Sequence, residues 1–106
     1  MSEAARLEAR LLTAAELKLV ALTRPPEIER RSADELKAAA RRLREAANRA
    51  KAIAQRQQRE IRGKAAPHGA RPAKDNLGTI GKAQALRAAL ERVEAEQRGR
   101  AAAALK

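Results

Sequence analysis

The sequence predicts an all-α fold: a small three-helix bundle on one long central helix, about 32–62, in an antiparallel helical hairpin. A long basic Gly/Pro loop precedes the last helix. Three observations carry this. First, 32–62 contains no Gly or Pro and is rich in Ala, Arg, Gln, Glu and Leu, all good helix formers. Second, it opens on a capping box, Ser32 with Glu35 three residues later, which satisfies two otherwise orphaned amide donors. Third, Leu36, Ala39, Ala40, Leu43, Ala46, Ala47, Ala50, Ile53, Ala54, Gln57 and Ile61 recur at spacings of three and four and form one seam.

The chain before it, 3–23, reads as the first helix. Thr13 and Glu16 make a second capping box just before Leu17-Lys18-Leu19-Val20-Ala21-Leu22, so two accounts fit. Either one helix has a buried second half, or a loose N-terminal segment precedes a helix that starts near Ala14. Apolar residues surround the 17–22 turn on nearly every side, which predicts the most buried piece of the protein. Thr23-Arg24-Pro25-Pro26 ends this element, because proline removes a donor and pushes its predecessor out of the α region. The short connection, with Ile28 dropping onto the core, sets the first and long helices antiparallel and side by side.

After Arg62 the composition changes. Residues 63–81 hold four of the five glycines and two of the four prolines, and read as an irregular basic loop. Leu77 and Ile80 would tether its second half. The last helix is expected over 82–97, with Ala83, Leu86, Leu90 and Val93 as its stripe and 98–106 as a frayed tail. The whole of 1–106 is one small domain.

Composition narrows the function. Leu, Ile and Val number 18 of 106 residues and there is no Phe, Trp or Tyr, so the core is thin and Ala-rich. Such a chain gains from a second copy or a bound polyanion. Net charge is +11, unevenly placed: +1 over 1–31, +5 over 32–62, +3 over 63–82 and +2 over 83–106. An acidic partner follows, with nucleic acid, DNA or RNA, foremost. There is no cysteine, and the N-terminus carries acids without a signal-like apolar stretch, so the chain reads as cytoplasmic.

Catalytic chemistry is poorly supplied. His68 is the only histidine, between Pro67 and Gly69, and the only serines are Ser2 and the N-cap Ser32. No nucleophile–base set can be built from these, and no transition-metal ligand spacing exists. The chain reads as a non-enzyme without cofactor, metal or small-molecule substrate. Gly78-Thr79-Ile80-Gly81-Lys82 fails as a nucleotide phosphate loop, because Asn76 and Ala83 stand where glycine and Ser/Thr are required. A weaker reading survives, backbone amides at a helix N-terminus holding a single phosphate beside Lys82. Arg98-Gly99-Arg100 and Arg62-Gly63-Lys64 count as basic contacts only. The absence of aromatic residues argues against stacking on single strands.

The strongest signal is a ridge. At 100° per residue Lys37, Arg41, Arg44, Lys51, Arg59 and Arg62 flank the apolar seam, roughly opposite Glu35 and Glu60. No acidic residue is expected to share the ridge. With Lys64, Arg71, Lys74 and Lys82 from the loop, these ten residues are the expected nucleic-acid contacts, held by phosphates with weak sequence preference. Gln55, Gln57 and Gln58 lie among them as possible hydrogen-bonding groups. In composition the basic helix with its Gly/Pro arm resembles small nucleoid-associated or ribosome-associated proteins, without an alignable motif. The alternative function is a helical interaction module that dimerises or docks on a protein through its Ala-rich seam. Binding at a membrane surface ranks below both, for want of a bulky apolar face.

Overall fold

The computed structural model describes residues 3–63 and 74–105, with the side chains of Ala4 and of 74–76 outside that description. Among these residues the protein is helical and has no strand. Its helices are α1 (Glu3–Leu11), α2 (Ala14–Ala21), α3 (Glu27–Arg30), α4 (Ala33–Gly63) and α5 (Lys74–Ala104). The molecule is elongated, 61 × 28 × 20 Å.

α4 forms as its sequence dictates. Ser32 Oγ accepts from the Glu35 amide at 3.0 Å, and Glu35 Oε1 accepts from the Ser32 amide at 3.0 Å, closing the capping box. The helix buries Leu36, Ala39, Ala40, Leu43, Ala46, Ala47, Ala50 and Ala54. Ile53, expected in the seam, lies at its edge and is 41% exposed. α5 answers with Leu86, Ala89, Leu90 and Val93. Seven of the fifteen buried hydrophobic residues among those described are alanines, so the two backbones can approach closely and the core is narrow.

α4 and α5 are antiparallel. Arg44 pairs with Glu94, while Ala54 and Gln58 share a groove with Ile80 and Ala83, so numbers rise on one helix as they fall on the other. The N-terminal segment runs the other way along α5. Leu11 lies against Gly81, Thr23 meets Arg92 and Ile28 meets Arg100. It is therefore antiparallel to α4, as the short connection predicts, and a groove between α2 and α4 is lined by Leu19, Leu22, Arg42, Ala46 and Arg49. The main partner of α4 is nevertheless α5, which holds the deepest side chains with it.

Three expectations need correction. The first concerns 3–23, which breaks into two helices. Thr13 is extended (φ −69°, ψ 166°), its side chain accepts from the Glu16 amide, and Glu16 Oε1 accepts from the Thr13 amide at 2.8 Å. The capping box decides in favour of the restart. Within α2 only Val20 is fully buried; Leu17 and Leu19 are half-buried, because α2 covers one flank of the α4/α5 pair rather than entering it. The second is the loop: its second half, 74–81, is the start of α5. Gly78 and Gly81 both sit inside the helix, and Leu11 comes down closely on the second. A Cβ on Gly81 would lie 2.8 Å from Leu11 Cδ1. The third is the frayed tail. α5 continues to Ala104, since Arg100 is anchored and Ala101–Ala104 are the best helix formers available.

Ion pairs strap the N-terminal segment down. Arg24 donates to both oxygens of Glu8, at 2.8 and 2.6 Å. Thr23, fully buried, donates to the Val20 carbonyl at 2.6 Å and accepts from Arg92 Nε at 3.1 Å. Arg100 donates to the Ile28 and Glu29 carbonyls at 3.2 and 3.3 Å and to Glu96 at 2.8 Å, joining the Arg31 amide on the Ile28 carbonyl and tying the end of α3 to α5. Arg92 is held below its ordinary value by burial and by the neighbouring Arg24.

Two predictions follow from this packing. Gly99 has nothing near the position of a Cβ, so Gly99→Ala should raise stability by about 0.5–1 kcal/mol in urea unfolding. Gly81→Val should instead displace Leu11 and increase hydrogen exchange across α1. The hydrogen-bonded Arg24 guanidinium holds the Glu8 carboxyl below its ordinary 4.5. A depressed carboxyl stabilises above its unfolded value and loses that contribution as pH falls through the folded one. Glu8→Gln should therefore cost about 1 kcal/mol at pH 7, a figure kept small because Arg24 is 39% exposed. As pH falls through the depressed folded value that cost should shrink towards nothing relative to the parent, as read by thermal melts across pH.

Candidate nucleic-acid interface

Lys37, Arg41, Arg44, Lys51, Arg59 and Arg62 are all exposed on α4. They project on the side away from α2, whose groove takes the opposite flank through Arg42, Glu45 and Arg49. On that free side α4 borders the outer face of α5, and the two helices together make the surface. Three shallow grooves run along it.

The first, about 440 Å³, is lined by Lys51, Gln55 and Gln58 from α4 and by Gln84 and Arg87 from α5. Its floor is Ala47, Ala54, Ile80 and Ala83. The second continues from Gln55 and Gln58 to Arg59 and Arg62. No described acidic residue lines either one. The third lies towards the middle of the hairpin, between Arg44, Asn48, Arg87, Leu90, Glu91 and Glu94. There Arg44 Nη2 stands 3.6 Å from Glu94 Oε2.

The ridge is not free of acids: on its own helix Asp34 and Glu45 stand one helical turn from Lys37 and Arg41, and the assembled face adds more. Glu91 and Glu94 arrive from α5 and offset the charge around Arg44. Beyond them the track is purely basic: Lys51, Arg59, Arg62 and Arg87 make no ion pair with any described residue. Four side chains of one sign within the distal half of a hairpin repel one another and concentrate positive potential there.

The remaining expected contacts fare differently. Lys82 sits on the α2 flank, its Nζ 3.0 Å from Glu16 Oε1. Burial works to raise the Glu16 carboxyl, but hydrogen bonds from Thr13 and Lys82 outweigh it and hold the group below its ordinary value. Lys82 therefore anchors α2 and is separate from the ridge. The idea of a phosphate held by helix-terminal amides at 78–82 falls too, because these residues lie within α5 and not at its N-terminus. Lys74 opens α5, with its side chain outside the description. Lys64 and Arg71, with His68 and the rest of 64–73, lie outside the described residues.

Arg87 and Gln84 were not expected in the surface. Their spacing places them on the outer side of α5, but only the register of α5 against α4 sets them across from Lys51 and Gln55. Among the described residues no group of His, Cys, Asp and Glu could hold a metal ion, and no helix is long and apolar enough to cross a membrane. Set against known proteins, the chain matches no family model, no curated protein and no solved structure.

Proposed function

We propose that the protein binds nucleic acid without enzymatic chemistry, through phosphate contacts on the α4/α5 face, as a cytoplasmic protein with weak sequence preference. The observation that carries the reading is a local cluster of cations with no described carboxylate among them. Arg24, Arg31, Lys82 and Arg100 are engaged with the protein's own carboxylates, whereas Lys51, Arg59, Arg62 and Arg87 share one face and are left to solvent.

The shape supports phosphate contact over base reading. The face is two helices wide on a body 20–28 Å across. A B-DNA major groove of about 12 Å admits one helix, so this face lies across the backbone instead of entering the groove. Phosphate contacts fix position but carry no sequence information.

A second reading, a helical module that pairs with itself or with a protein, draws on two exposed apolar side chains, Leu7 at 49% and Leu77 at 59%. Light scattering separates the two. A tight dimer whose helicity and melting ignore polyanions would favour the module.

Four phosphate contacts predict a log–log salt slope of about −3 to −4 on duplex DNA and duplex RNA. No binding at micromolar protein and 50 mM salt would overturn the proposal. Arg59→Glu with Arg62→Glu should weaken binding at least about tenfold and flatten the slope by about two. Glu91→Gln with Glu94→Gln should tighten it several-fold, by releasing Arg44. Lys82→Gln should leave affinity unchanged while lowering thermal stability, because its partner is Glu16.

A further inference from the structure

We infer that the groove between the distal halves of α4 and α5 takes one unstacked nucleotide, such as a bulge in a duplex, with its base inside and its phosphate on the rim. This rests on the nucleic-acid reading above and gives that surface a preferred ligand.

Three glutamines converge here from two helices. Gln55 and Gln58 come from α4 and Gln84 from α5, all exposed and none engaged with a described residue. A carboxamide carries donors and an acceptor side by side, the combination that pairs with a base edge, adenine above all. In a merely solvated face such groups would have no reason to meet around a depression. The floor of alanines and Ile80 is apolar and suits the flat side of a base. Lys51 and Arg87 stand on the rim, where the attached phosphate would lie, and no described carboxylate lines the groove to oppose it. Its volume of about 440 Å³ falls in the range of small-ligand sites.

The same features limit the ligand to one nucleotide. The chain has no Phe, Trp or Tyr, so a run of unstacked bases finds no stacking platform to replace what it loses. Taking a single base out of a helix is cheapest where that base is already unpaired. Its flanking stems stay stacked, and their phosphates reach Arg59 and Arg62 along the adjoining groove. A bulged duplex satisfies both parts of the surface; a fully single strand satisfies only the charged part.

The test compares end-labelled duplexes with and without one bulged adenosine, in RNA and in DNA, by anisotropy at 150 mM salt. The bulged forms should bind about tenfold tighter than the perfect duplexes, and a single strand of equal length more weakly than either. The RNA and DNA arms show which sugar the site prefers. Gln55→Ala with Gln84→Ala should erase the preference for the bulge, bringing bulged and perfect duplexes to equal affinity. Equal affinity for bulged and perfect duplexes would overturn the inference while leaving phosphate binding intact, as would a preference that survives the double substitution. Absence of binding to every duplex would overturn both.

Discussion

The close packing of α4 on α5 along an alanine seam constrains everything else in this protein. Alanines at 40, 46, 47 and 50 cluster with Leu86, Ala89, Leu90 and Val93, together with Leu36 and Leu43. Small side chains bring the backbones together, and that closeness fixes one register. A slip by a turn would set leucine against leucine. Register in turn decides which exposed groups become neighbours: Arg44 with Glu94, Lys51 with Arg87, Gln55 with Gln84. The surface chemistry follows from the packing of residues that never reach the surface.

That seam leaves little margin, and the N-terminal segment makes up part of the deficit with polar ties. Glu8–Arg24, Thr23–Arg92, Glu16–Lys82 and the Arg100 contacts to α3 all lie on the flank away from the ridge. They hold α1, α2 and α3 along α5 where apolar contact alone is sparse, with Leu17 and Leu19 only half-buried. Arg24, Lys82 and Arg100 are thus committed to the fold, whereas Lys51, Arg59, Arg62 and Arg87 line grooves that hold no described acid.

How much of this was legible in the sequence differs from element to element. α4 was, because propensity, a capping box and apolar spacing agree over thirty residues, and agreement across levels marks a secure element. The restart at Ala14 was visible in Thr13 and Glu16. The start of α5 was not. Glycines at 78 and 81 are breakers by local rules, and the close approach of Leu11 to Gly81 comes from a residue distant in sequence. The ridge was legible one helix at a time. Periodicity places a charge on one side of its own helix, but the acids at 91 and 94 and the amide at 84 enter by register, which no local pattern encodes. Lys82 shows the same limit: a cation beside glycines suggests a phosphate, and its actual partner, Glu16, comes from another helix.

The position of the unpaired cations along the hairpin ties stability to the proposed function. Buried residues on α4 end at Ala54, and on α5 they begin at Leu86, so the distal half of the hairpin has little core beneath it among the described residues. Lys51, Arg59, Arg62 and Arg87 repel one another in that same half. Their repulsion works against the weakest packing in the molecule, and neutralising it would favour the folded hairpin. On the proposed reading a polyanion binds the folded face better than the unfolded chain, and its binding energy then stabilises the hairpin by linkage. A longer apolar seam would steady the free protein but would leave less for the ligand to stabilise. The thin distal core and the uncompensated charge are two aspects of one surface, and the first makes the second matter.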